Sequence, residues 1–193
     1  MRSRFVGVVL IATLGGVAGC GGGGGGVGSG TATPSGSGTA SPGTAARITV
    51  SSPAFTDGGT VPGRYTCSGA DVSPPLAFSG VPARTAGLAL LVEDQDAPGG
   101  TFTHWLVWNM DPHTTSLPTG ATPPGAAQGR NDFLKTGYSG PCPPPGKPHR
   151  YVFTVYAADR RLALRPGATA ADIRRALSGH TLASGTLTAR YGR

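Results

Sequence analysis

Charge is scarce in this 193-residue chain: Asp, Glu, Lys and Arg make up 13% of it, about half the roughly 25% usual for a soluble domain. Lysine occurs only at Lys135 and Lys147, and the cations form no run, so the basic stripe of a nucleic-acid binder is absent. Three cysteines are too few for a scaffold built on disulfides. No apolar stretch reaches the roughly 20 residues of a membrane-spanning helix, which excludes a polytopic membrane protein. There is no HExxH, no CxxC and no serine in a nucleophile-elbow pattern. Strands and helices do not alternate as they would in a doubly wound sheet.

Glycine is abundant but uneven, with 15 of 33 in residues 1–46. Arg2 and Arg4 precede a largely apolar stretch, Phe5 to Leu14, and small residues lead to Val17-Ala18-Gly19-Cys20. A basic start, a short apolar run and small residues before a cut describe a secretory signal peptide over residues 1–19. Ending on Cys20, it resembles the lipobox of bacterial lipoproteins, in which that cysteine is lipidated and becomes the mature N-terminus. Residues 20–46 then form a Gly/Ser/Thr/Pro tether, uncharged until Arg47 and too polar to offset its ordering entropy. Such a linker spans roughly 25–30 Å. Without Arg2 and Arg4 the chain holds 14 cations and 9 anions, a charge of +5. With Cys20 lipidated, Cys67 and Cys142 remain in an oxidising compartment. A disulfide between them is the natural reading, two free buried thiols the alternative.

Residues 47–193 suit one ordinary domain. Turn signals recur about every ten residues, among them Asp57-Gly58-Gly59, Pro98-Gly99-Gly100 and Pro143-Pro144-Pro145-Gly146, with short β-rich runs between them. Gly87 to Glu93 is nearly all apolar, as expected of a buried central strand. Phe102 to Met110 and His149 to Ala157 are aromatic and β-branched, and Thr186 to Tyr191 closes the chain. One helix is expected, started by Thr169 with Asp172, with Ile173 and Leu177 on one face and Gly179 as its C-terminal cap. The fold class is mostly β, an antiparallel β-sandwich with short peripheral helices.

Few polar groups fall beside these strands. Asp94 and Asp96 follow the apolar run, and spacing of two in an extended chain points both to one side. His104 lies inside an aromatic strand. His149 and Tyr151, again two apart, share a face. Just before them runs Gly137-Tyr138-Ser139-Gly140-Pro141-Cys142-Pro143, whose glycines would let a ligand approach backbone.

Asp94-Gln95-Asp96-Ala97-Pro98 with His104-Trp105, and Gly137 to Pro144 followed by His149-Arg150-Tyr151, resemble the two signatures of the phosphatidylethanolamine-binding protein family. Cys67-Ser68-Gly69, Ser73-Pro74-Pro75-Leu76 and Gln128-Gly129-Arg130-Asn131-Asp132-Phe133 are similar to its bacterial, Raf-kinase-inhibitor-like branch. The terminal Tyr191-Gly192-Arg193 fits too, so the resemblance spans about residues 47–193. Gln95 departs from the usual proline, yet Ala97-Pro98 should hold the turn, with a trans or a cis bond. Too few residues follow Gly179 for the long C-terminal helical extension of eukaryotic relatives, which argues against a eukaryotic kinase as partner.

The resemblance implies antiparallel sheets with a small pocket built from Asp94, Asp96, His104, Gly140, Pro141, His149 and Tyr151. In that family the pocket takes anions such as phosphate, acetate or a phosphorylated head group, and the resemblance implies the same here. The imidazoles and the phenol would donate to anion oxygens, while the carboxylates orient the imidazoles and raise their proton affinity. The leading expectation is a lipid-anchored, extracytoplasmic binding module with no catalytic residues, metal, cofactor or nucleic-acid partner. The rivals are an inhibitor or regulator of a protease or kinase through protein contact, and an Asp/His hydrolase or metalloenzyme.

Overall fold

In the computed structural model, which describes residues 47–193, the chain runs β1 (Thr49–Ser51), β2 (Leu76–Ser79), β3 (Gly87–Asp94), β4 (Phe102–Met110), β5 (Ser116–Leu117), β6 (Ala127–Gln128), β7 (His149–Ala158), α1 (Ala170–Leu177) and β8 (Thr181–Tyr191). The expected signal peptide, Cys20 and tether lie outside the described residues. Two antiparallel sheets form, one ordered β1-β2-β5 and the other β6-β4-β3-β7-β8. They enclose a core that includes Leu88, Leu90, Val92, Trp105, Val107, Phe153 and Val155 from the larger sheet, with Val50, Leu76 and Phe78 from the smaller.

The unbroken apolar run of β3 follows from its position. Every residue of this central strand is buried. Leu88, Leu90 and Val92 face the space between the sheets. Ala89 and Leu91 pack on the opposite side, with Leu106, Trp108 and the helix residues Ile173 and Leu177. A strand covered on both faces needs no polar alternation. Helix α1 forms as its sequence suggests. Thr169 and Asp172 bond reciprocally in a capping box, and Gly179 takes a left-handed φ of 76°.

The short strands β1, β2, β5 and β6 carry too little pattern to be found in the sequence, and β8 begins five residues earlier than expected. Its early part is crossed by the incoming chain: Ile48 donates its amide to the Ser184 carbonyl at 3.1 Å. At Gly185 the Ile48 carbonyl lies where a side chain would stand. Among the described residues every peptide bond is trans, Ala97–Pro98 included.

Candidate functional site

The C-terminal end of β3 meets the N-terminal ends of β4 and β7, where Asp94 stands opposite Phe102 and Tyr151. A β-bulge decides what shares its face. Val92 pairs with Trp105 but Glu93 pairs with Thr103, so the register slips by one residue at His104. Strict alternation from Trp105 would turn His104 towards α1, beside Leu106 and Trp108. The extra residue re-aims it, as bulges do, and its ring lies 5.4 Å from that of Phe102 and 5.2 Å from that of Tyr151.

Both imidazoles are anchored through Nδ1. His104 Nδ1 lies 2.7 Å from the Ser139 carbonyl oxygen. A carbonyl only accepts, so Nδ1 carries the proton and Nε2 is left as the ring's remaining polar atom. His149 Nδ1 is 2.7 Å from Asp94 Oδ2, while Asp94 Oδ1 accepts the Asp96 amide at 2.9 Å. His104, only 2% exposed, has its pKa lowered. Burial is the dominant cause and outweighs the Ser139 carbonyl and the Asp94 charge, which both favour the proton. The expectation that neighbouring carboxylates raise both proton affinities is therefore corrected for His104: desolvation prevails.

Asp94, His104 and His149 line one cleft of about 350 Å³, walled by Phe102, Phe133, Pro143 and other apolar groups. The remaining expected site residues lie around it. Asp96 turns to the exposed side of β7 and takes two side-chain hydrogen bonds from Arg150, at 2.7 and 2.9 Å. The Arg150 hydrogen bond holds its carboxyl down at about 2. Gly140 is a packing glycine rather than an opening for ligand. A Cβ there would stand 2.4 Å from the Tyr65 carbonyl, and its amide donates to Asp71 at 2.6 Å. Pro141, also behind the wall, accepts the Cys67 amide. Tyr151 shares the face of His149 as expected but is fully buried. Its hydroxyl has no hydrogen-bond partner among the described residues. Burial, then the Asp94 charge, push its pKa up.

Cys67 and Cys142 form a disulfide, and Cys142 lines the cleft. The cross-link joins the wall to the Tyr65–Gly69 segment. Asn131 is the residue that sequence reasoning left without a role. It is buried, and its Nδ2 donates towards the carbonyls of His104 and Gly137 and towards Ser139 Oγ, at 3.1–3.2 Å. Its signals were its place in the Gln128-to-Phe133 motif, which gave it no role, and an Asn-Asp pair that ordinarily reads as a turn former. Among the described residues no three His, Cys, Asp or Glu side chains gather with metal-ligand spacing.

A two-sheet antiparallel sandwich with a small apolar-walled cleft, lined by two tethered imidazoles and a carboxylate, defines a class of binding protein. The chain belongs to the phosphatidylethanolamine-binding protein family, whose model matches residues 51–192. Members of that family are generally binding proteins. A UPF0098 protein of Methanothermobacter thermautotrophicus is 46% identical over 145 residues, 72% of this chain and 95% of its own. LppC of Mycobacterium tuberculosis, described as a candidate lipoprotein, is 42% identical over 186 residues, covering 93% of this chain and 92% of its own. Among solved structures, YbcL of Escherichia coli, described as a member of the mammalian PEBP family, matches with a TM-score of 0.72 at 34% identity, covering 77% of this chain and 99% of its own. The PEBP homologue CT736 of Chlamydia trachomatis gives 0.73 at 38%, with the same coverage.

Proposed function

We propose that this chain is an extracytoplasmic binding protein, anchored by lipid on Cys20, whose cleft takes a small anion or a phosphorylated head group. The observation that carries the reading is the pair of imidazoles, each tied by Nδ1 and both lining one apolar-walled cleft. A protonated Nε2–H donating to an anion oxygen makes a charge-assisted hydrogen bond, worth roughly 1.5–3 kcal/mol. Asp94 orients His149 and offers a carboxylate to an ammonium group. Similarity to LppC over 93% of the chain supports the lipid anchor.

Burial keeps His104 neutral near pH 7, so anion binding is coupled to proton uptake and tightens as pH falls. Affinity is expected in the micromolar to millimolar range. His104 is packed among Phe102, Phe133 and Tyr151, and truncating it would damage the wall as well as the site. His149 is the better probe. Calorimetric titration with phosphoethanolamine and with inorganic phosphate should detect binding, stronger at pH 6 than at pH 7.5. His149→Gln should weaken it about tenfold, because the ring that Asp94 orients towards the cleft is lost. Absence of binding by either compound at millimolar concentration, or an unchanged affinity in His149→Gln, sinks the reading.

A further inference from the structure

Large apolar side chains exposed among the described residues number two, and they are neighbours: Phe133 at 37% and Leu134 at 74%. They occupy a turn closed by the Arg130–Thr136 bridge. Leu134 is held at φ +62°, a left-handed conformation that a bulky side chain rarely adopts and that Gly or Asn would take with less strain. Nothing in the core requires a leucine there. Strain combined with exposure of an apolar group points to a role outside the fold.

The turn is firmly built. Asn131 N donates to the Lys135 carbonyl at 2.8 Å, Leu134 N to the Asn131 carbonyl at 2.9 Å, and Lys135 N to Asn131 Oδ1 at 3.0 Å. The Asp132 carboxylate accepts the Thr103 amide at 2.6 Å, which ties one of its oxygens to β4. Arg130 and Lys135 flank the tip, both exposed. Neither joins the ion pairs formed among the described residues. Phe133 reaches back to form the cleft rim, its ring 5.3 Å from His104.

We infer that the Phe133–Leu134 turn inserts shallowly into an anionic phospholipid surface and seats the mouth of the cleft against the head groups. Two adjacent apolar side chains are far short of the roughly 800 Å² per partner that a stable protein interface buries. They suit the interfacial layer of a bilayer, where apolar groups enter the acyl boundary and flanking cations meet anionic head groups. The inference goes beyond the cleft's ligand and does not need it, because a lipid surface can be touched with the cleft empty.

The test places a reporter at the tip of the full chain. Trp105 and Trp108 are buried and give a constant background, so Leu134→Trp adds one responsive indole. With vesicles of equimolar phosphatidylglycerol and phosphatidylcholine, its emission should shift to the blue. Brominated acyl chains should quench most of the added signal. Attachment through the N-terminal segment cannot mimic this, because the measurement reads residue 134 itself. In a chain also carrying Cys20→Ser, so that no acyl anchor holds it, Leu134→Asp should lower vesicle partitioning about tenfold while phosphoethanolamine titration of the cleft stays at its wild-type value. An added indole that is neither shifted nor quenched on anionic vesicles overturns the inference, whatever protein the turn then proves to bind. Normal vesicle contact with no cleft binding would instead defeat the cleft reading and leave this one standing.

Discussion

Each imidazole of the cleft hangs on its Nδ1, but the two anchors differ in kind: a neutral carbonyl for His104 and a carboxylate for His149. For His104 it is burial, not the anchor, that sets the answer to pH. His104 has a folded pKa below its unfolded value of about 6.5 because burial disfavours its charge. The unfolded chain therefore binds more protons at this residue. Its contribution to stability is fully present above about pH 6.5 and declines as pH falls towards the folded pKa, by up to about 1.4 kcal/mol per pH unit. Denaturant unfolding between pH 8 and pH 5 should show that acid slope, and His104→Phe should remove one proton's worth of it. An identical slope in the variant would place its source elsewhere. Phosphate, binding the protonated form, should lift stability more at pH 5 than at pH 8. The residue types of this chemistry were legible in the sequence. Which nitrogen is tied down, and how deeply each ring is buried, were not, because both depend on partners 35 and 55 residues away.

Among the elements, the bulge in β4 and the cross-linked wall do most to shape the cleft. The bulge changes the face that His104 presents without changing the strand's bounds, which agree with the sequence expectation residue for residue. A period-2 pattern fixes faces only while the register is kept. The wall carrying Cys142 is tied to Cys67, 75 residues earlier. Chain-entropy reasoning gives an upper contribution of about 4–5 kcal/mol for a loop of that size, with measured gains often smaller. Cys67→Ser with Cys142→Ser should lower unfolding free energy by up to that amount and weaken phosphoethanolamine binding, since Cys142 is part of the lining. Unfolding curves and titrations of the two forms decide it. Unchanged affinity would make the bond a staple for the fold alone.

At the scale of the whole chain, strand order brings the cleft to one end of the larger sheet, with the Phe133–Leu134 turn at its rim. On the proposed reading of a lipidated Cys20, the expected tether of roughly 25–30 Å would be long enough to bring that rim to the same membrane. Cys20→Ser should therefore leave the precursor unprocessed or release the protein from the membrane fraction on cell fractionation. Unaltered processing and membrane retention would remove the lipid anchor from the functional reading. No helix among the described residues is long and apolar enough to cross a bilayer.

The sequence by itself determined the β class, the four long strands, the capped helix and the residue types of the site, because these rest on local periodicity, caps and motif spacing. The short strands of the smaller sheet were beyond it, since three- and two-residue strands such as β1 and β5 carry almost no periodicity. Tertiary structure decided the roles inside the motifs. It gave Asp94 to His149 and Asp96 to Arg150, although the two carboxylates stand two residues apart, because the Asp96 amide folds back onto Asp94 and breaks the extended geometry that spacing assumes. It made Gly140 a packing requirement and buried the Tyr151 hydroxyl with no hydrogen-bond partner among the described residues. It also buried Asn131 behind the site, where its amide reaches the His104 carbonyl 27 residues away.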